Sequence, residues 1–173
     1  MAAKKSISIL FGIILISAWV LGSVTWVGAE TMKCKNIAIA TKDERVLVGD
    51  EEGHNIALQI MEGLSYCENG EIAKVKHHAL IDAMPPKGGQ AIGYSILKFE
   101  DGSTMVIRFQ RLMVRDQSGA ISAKASSDII KGTGRFEGIK GTVSTTGKNF
   151  LGTKEEAARV FNDSTFTYTL PSK

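Results

Sequence analysis

Cysteine, histidine, proline and aromatic side chains are all scarce in this chain. Its 173 residues include two Cys, three His, three Pro, two Trp, three Tyr and seven Phe. Neither Cys34 nor Cys67 falls in a Cys-x-x-Cys pair or beside a His at metal-ligand spacing, so no zinc site is expected. His77 and His78 are adjacent and would face opposite sides of a strand, so they cannot share a metal. The few aromatics are not interleaved with basic residues, and Lys and Arg alternate with Asp and Glu at a formal net charge of +3. Such a chain lacks the basic stripe and stacking platform of a nucleic-acid binder, and no nucleic-acid partner is expected. No Ser/His/Asp order, helical His-Glu-x-x-His, phosphate loop or nucleophile elbow is present, and no cofactor is expected. Without a repeat, a low-complexity tract or an internal linker, the length suits one domain.

One long apolar run is present, at the N-terminus. Lys4 and Lys5 precede it, no residue from Ile7 to Val27 is charged, and Val27-Gly28-Ala29 suits a signal-peptidase groove. Residues 1–29 therefore read as a signal peptide cleaved before Glu30, with residues 30–173 as an exported domain, periplasmic or secreted. The alternative is an uncleaved membrane anchor, since about twenty apolar residues can span a bilayer. After cleavage no membrane partner is expected, and removal of Lys4 and Lys5 takes the charge from +3 to +1. Two cysteines in an exported domain predict a Cys34–Cys67 disulfide. Closing a loop of about 34 residues contributes on the order of 3 kcal/mol. The alternative is two unrelated buried thiols.

Period two dominates the rest. His54, Ile56, Leu58, Ile60, Glu62 and Leu64 share one side of an alternating run, and Asn55, Ala57, Gln59, Met61 and Gly63 the other. This predicts a half-buried strand over 54–64 with its aliphatic side inward. Asn69-Gly70 suits a hairpin turn, and residues 72–83 read as the partner strand, with Val75, His77, Ala79 and Ile81 on one face. Pro85-Pro86-Lys87-Gly88-Gly89 is a loop. Strands follow over 90–99 and 103–114, joined at Asp101-Gly102, and over 121–130 after a turn at Gln117-Ser118-Gly119. Gly132 to Gly147 reads as a bend followed by a strand near 141–146. Thr153 and Glu156 make a capping box ahead of Ala157, Ala158 and Val160, which predicts one short C-terminal helix over 153–161. A closing strand follows over 164–170. The expected fold class is mainly β: a single antiparallel β-barrel of about eight strands, because closure removes exposed edges. A β-sandwich is the alternative.

The segment GTGRFEGIKGT, Gly132 to Thr142, resembles the signature of the allene oxide cyclase and dirigent barrel superfamily. There a Gly-Thr-Gly, an aromatic and a further glycine mark a bend between consecutive barrel strands. Glu51 to Ala73 and Gly89 to Gln110 resemble bacterial exported proteins of the same barrel type. The resemblance covers residues 51–147 and implies the barrel. It implies no site residues, because the plant members' catalytic residues do not match this chain one by one. It implies no single function either, since those members include an isomerase and proteins that steer radical coupling. Read physically, the glycines of the segment permit positive φ or close strand approach, and Phe136 would plug one end of the core. The spacing G-x-G-x-x-x-G is one residue too long for a dinucleotide fingerprint.

With the aliphatic faces turned inward, the lumen would hold His54, Glu62, His77, Tyr94 and Arg111, the candidate ligand-binding set. A buried carboxylate needs a partner, so Glu62 and Arg111 are expected to pair. His77 with Tyr94 would offer acid–base chemistry in an apolar pocket. The alternative for each is a satisfied structural network or a wet rim. Three functions follow. The barrel binds a small hydrophobic ligand in its lumen or mouth; it is an isomerase- or cyclase-type enzyme using Glu62, His77 and Tyr94; or it is a filled interaction module acting through its outer surface or as a homo-oligomer.

Overall fold

The computed structural model describes residues 28–85, 87–115, 121–153 and 155–172. The expected signal segment up to residue 27 and the turn expected at Gln117-Ser118-Gly119 lie outside the described residues. Eight strands follow in order: β1 (Glu30–Leu47), β2 (Asn55–Cys67), β3 (Ile72–Met84), β4 (Gly88–Phe99), β5 (Thr104–Arg115), β6 (Ile121–Thr133), β7 (Lys140–Phe150) and β8 (Arg159–Thr169). Each pairs antiparallel with the next, and β8 returns to β1, so the sheet closes into a barrel. One closed sheet replaces the sandwich alternative. The connections β2–β3, β4–β5 and β6–β7 lie at one end. The last residues of β1, β3, β5 and β7 lie at the opposite end, the mouth.

Expected strands and observed ones agree in order, with one omission. β1 has no counterpart in the sequence reading. Its inward side carries Met32, Cys34, Asn36 and Ala38 and its outward side Lys33, Lys35, Ile37 and Ile39. Both sides mix polar with apolar residues, so hydropathy does not alternate along it.

The short C-terminal helix is absent among the described residues. Thr153 Oγ1 does accept the amides of Glu155 (3.1 Å) and Glu156 (3.0 Å), as a capping residue would. The chain then enters β8 at Arg159, paired with β1 on one side and β7 on the other. Two complete ladders outweigh one helical turn, which carries the cost of nucleation for little return.

The larger correction concerns faces. On β2 the buried positions are Asn55, Ala57, Gln59, Met61, Ser65 and Cys67, while Leu58, Glu62 and Leu64 face outward. On β4, Ala91, Ser95, Leu97 and Phe99 point inward and Ile92, Tyr94 and Ile96 outward. On β3 and β5 the expected inward faces are the observed ones. An eight-stranded barrel is just wide enough to be filled by side chains, so small residues can take the inside even where the opposite face is more apolar.

The hairpin end is sealed. Phe99, Phe136 and Tyr168 meet there, with ring centroids 5.0 Å (Phe99–Phe136) and 6.3 Å (Phe136–Tyr168) apart. A 3-10 turn, Gly134–Phe136, delivers Phe136 into this cluster. Gly134 and Gly138 flank Phe136 at φ of 63° and 75°, a region L side chains rarely adopt. Arg135 caps the seal, its guanidinium 4.9 Å from the Phe99 ring and 4.6 Å from the Phe136 ring, and it pairs with Glu71. Tyr168 donates to Glu30 at 3.0 Å. Burial, with the Glu30 carboxylate beside it, pushes the Tyr168 phenol up to about 12.

Cys34 and Cys67 form a disulfide within this sealed core. They are direct cross-strand partners of β1 and β2, so the bond ties the two free ends of the longest hairpin. The double variant Cys34→Ser/Cys67→Ser should unfold with about 3 kcal/mol less stability than the oxidised wild type in urea titrations; a loss under about 1 kcal/mol would show that the seal holds this hairpin without the bond.

Candidate functional site

The lumen has three levels above one another. The sealed end is apolar. Above it the inward side chains turn polar: Asn36 of β1, His77 of β3, Ser95 of β4, Ser127 of β6, and Asn162 and Ser164 of β8 are all buried. Asn36 Nδ2 donates to Ser164 Oγ at 2.8 Å, and the Thr145 and Ser164 hydroxyls lie 2.9 Å apart. His77 Nδ1 lies 2.7 Å from Ser95 Oγ, while His77 Nε2 has no hydrogen-bond partner among the described residues. Burial, with further push from the Arg111 guanidinium and His78, lowers His77 to about 3, so its ring is neutral at neutral pH. A space of about 30 Å³ remains between these groups, room for roughly one or two waters.

The third level is the mouth. A pocket of about 80 Å³ opens there, walled by Met61, Ile81, Met113, Ile121, Phe150 and Val160. Asn55, Gln59 and Asn149 supply amides, and Arg45, Arg115 and Arg159 supply positive charge, with no acid among the lining residues. Arg45 is neutralised from outside the pocket by a two-pronged contact with Asp43, at 2.9 and 2.8 Å. That contact holds the Asp43 carboxyl below its usual range. Arg159 pairs with Glu156.

The five candidate residues do not converge. His77 and Arg111 line the lumen together. Glu62 is on the outer wall, paired with Lys76 at 2.7 Å, and its side chain is half exposed. It is therefore not the partner of Arg111. Tyr94 is also outside, 47% exposed. Both stand among aliphatic neighbours that sequence reasoning turned inward. His54 sits at the mouth rim, its Nδ1 2.6 Å from Asp50 Oδ1 and its Nε2 2.9 Å from Asp82 Oδ1. It fastens the β1–β2 connection to the end of β3. The polar residues of β1 and β8 were missed. The signal for β8 was available in Val160, Asn162, Ser164, Phe166 and Tyr168, an alternating set that the helix assignment cut in two.

No protein-family model matches the chain, and no curated protein matches its sequence. Similarity appears at the level of the fold. A pterocarpan synthase dirigent protein superposes with a TM-score of 0.50 at 13% identity, over 93% of this chain and 100% of its own. The fold is that of the dirigent-like barrels. A second pterocarpan synthase dirigent protein aligns at TM-score 0.43 and 13% identity, over 83% of this chain and 97% of its own. A β-barrel-like protein from Acinetobacter baumannii AYE aligns at 0.44 and 9%, over 82% and 97%. In this dirigent-like barrel the segment GTGRFEGIKGT is structural: it builds the seal, at the end opposite the pocket.

The two histidines make opposite contributions to stability across pH. The Asp82 and Asp50 carboxylates accept from His54 and hold its pKa above 6.5. That contribution is complete below 6.5 and is lost as pH rises through the raised value. His77 is depressed, so the unfolded chain takes up a proton that the folded one refuses. Stability should therefore climb as pH rises from about 3 to 6.5, by up to roughly 5 kcal/mol over the full span of the shift. Thermal melts should show a maximum near the ordinary histidine value. His54→Gln should flatten the alkaline limb and His77→Gln the acid limb. Unchanged limbs in both variants would refute these assignments.

Proposed function

We propose that the protein binds a small, largely apolar molecule in the open mouth of the barrel. The observation that carries this reading is the asymmetry of the ends. One end is closed by an aromatic cluster, and the other keeps a pocket with aliphatic walls and three amides. At about 80 Å³ the enclosed part is well below a drug-sized site of roughly 300 Å³ or more. A ligand would thus bury one end in the pocket and leave its body among Phe150 and Leu151 at the rim. The dirigent proteins of similar fold include a pterocarpan synthase, which makes an enzymatic role worth stating. Against it, Glu62 and Tyr94 lie on the outer wall and His77 inside, so the acid–base set that an isomerase or cyclase would need is divided between two faces. The reading includes export, supported by the N-terminal apolar run and by the Cys34–Cys67 disulfide, which persists in oxidising compartments. The neutral fluorophore N-phenyl-1-naphthylamine should bind once per chain. Ala83→Phe, which fills the mouth, should weaken it at least about tenfold, or about 1.4 kcal/mol. Leu80→Ser, on the outer wall, should leave it unchanged. Equal binding by wild type and Ala83→Phe would remove the ligand from the mouth.

A second reading, self-association, has its own observation. Leu58, Leu80, Ile92 and Tyr94 form adjacent rows on the outside of β2–β4 and line a groove of about 560 Å³. The outward residues of β6 and β7 are mostly polar, among them Lys124, Ser126, Thr142, Ser144 and Thr146, with Ile130 and Phe150 as the exposed apolar exceptions. The exposed apolar surface is therefore uneven around the barrel, which suits a protein neighbour better than the complete apolar girdle of a membrane barrel. A second copy of this chain is the occupant favoured by the near-neutral charge, since like copies then meet without strong repulsion. Sedimentation should give a multiple of the monomer mass, reduced to one by Leu80→Glu/Ile92→Lys. A monomeric wild type at tens of micromolar would dismiss this reading.

A further inference from the structure

Among the described residues, Arg111 is the one strongly basic group held inside the barrel below the mouth. It follows Phe109 on the inward face of β5, and its cross-strand partners are Ala91 and Ala125, small residues that leave room for a guanidinium. The guanidinium carbon lies 5.6 Å from the Phe109 ring centre. Arg111 Nε is enclosed and has no hydrogen-bond partner among the described residues. Burial lowers the Arg111 pKa.

The described surroundings offer no counter-charge. The buried polar side chains of the lumen are Asn36, Gln59, His77, Ser95, Ser127 and their neighbours on β8, all uncharged when His77 is neutral. Asp43, nearest the rim, is engaged by Arg45 and Gln59. Glu62, the acid that sequence reasoning paired with Arg111, is committed to Lys76 on the other side of the wall. A buried charge without a partner is costly, and its planar fork of donors is matched best by an oxyanion. Met113, the next inward residue toward the mouth, lines the pocket floor, about 7 Å along the strand from Arg111. Arg111 thus lies one inward position below the mouth pocket and lines the space of about 30 Å³ beneath it.

Resting on the mouth-binding reading above, we propose that the ligand is an amphipathic monoanion. Its carboxylate pairs with Arg111 beneath the pocket floor, and its apolar body occupies the aliphatic mouth. The His77 Nε2 position, unpartnered beside the same space, supplies a second neutral contact to that head group.

Calorimetric titration of the purified protein with hexanoate and with 1-hexanol, which share a tail and differ in the head, tests this. Wild type should bind hexanoate at least about tenfold more tightly than 1-hexanol. Arg111→Met should bind the two alike, at the affinity of the alcohol, and Arg111→Lys should retain part of the preference. Alcohol binding by Arg111→Met certifies that the variant is folded; should it fail to fold, Arg111→Lys and the wild-type preference decide. Equal affinities in wild type, or a preference untouched in both variants, overturn the anion while leaving the mouth pocket standing. Failure of both probes to bind wild type removes the pocket and the anion together. Acetate displacing hexanoate at equal concentration assigns Arg111 to a free anion and overturns the tailed ligand.

Discussion

The interior of an eight-stranded barrel accommodates one layer of side chains from each wall and no more, and this width governs the rest of the molecule. At the sealed end the layer is large: Phe99, Phe136, Phe166, Met105 and Tyr168 fill it. At mid-height it is small and polar, with Ser95, Ser127, Ser164 and Gly93 set between Asn and His. At the mouth the walls part and a pocket remains. The gradient from filled to open runs along the barrel axis. Every strand contributes to it by choosing which of its two faces to bury by size as much as by hydropathy.

That choice explains what was legible in the sequence. Turn chemistry fixed the hairpins at Asn69-Gly70 and Asp101-Gly102, and alternation fixed most of the strands, so the barrel could be read. Faces could be read on β3 and β5, where the larger apolar residues are also the inward ones. They could not on β2 and β4, where Ile, Leu and Tyr face out and Ala, Gly and Ser face in. The more apolar face of a strand is the buried one only when the interior is roomy and the exterior is wet. The first condition fails along β2 and β4. The candidate site inherited that error: of the five side chains expected to meet, His77 and Arg111 share the lumen, and Glu62 and Tyr94 belong to the outer wall.

The same width sets the electrostatics. Too narrow to admit bulk water, the middle of the lumen keeps His77 neutral and leaves a guanidinium facing hydroxyls and amides instead of acids. An aliphatic layer of equal volume would fill the space at less cost in stability. Acidic residues stay outside or at the rim, in surface pairs such as Glu62–Lys76 and Arg108–Asp128, each worth little by itself.

Closure joins the first strand to the last. Seven of the eight ladders connect neighbours in the chain and can form as local hairpins, whereas β1 and β8 meet across a sequence separation of 128 residues, as at Asn36 and Ser164. Contacts of such range form slowly, because the loop entropy is spent before the pairing returns anything. During that interval β1 and β8 are both bare edges, able to recruit strands from other chains. A chain threaded out of the cell N-terminus first would hold β1 in waiting until its final residues emerged, and any truncation that removed β8 would leave an open sheet in place of a barrel.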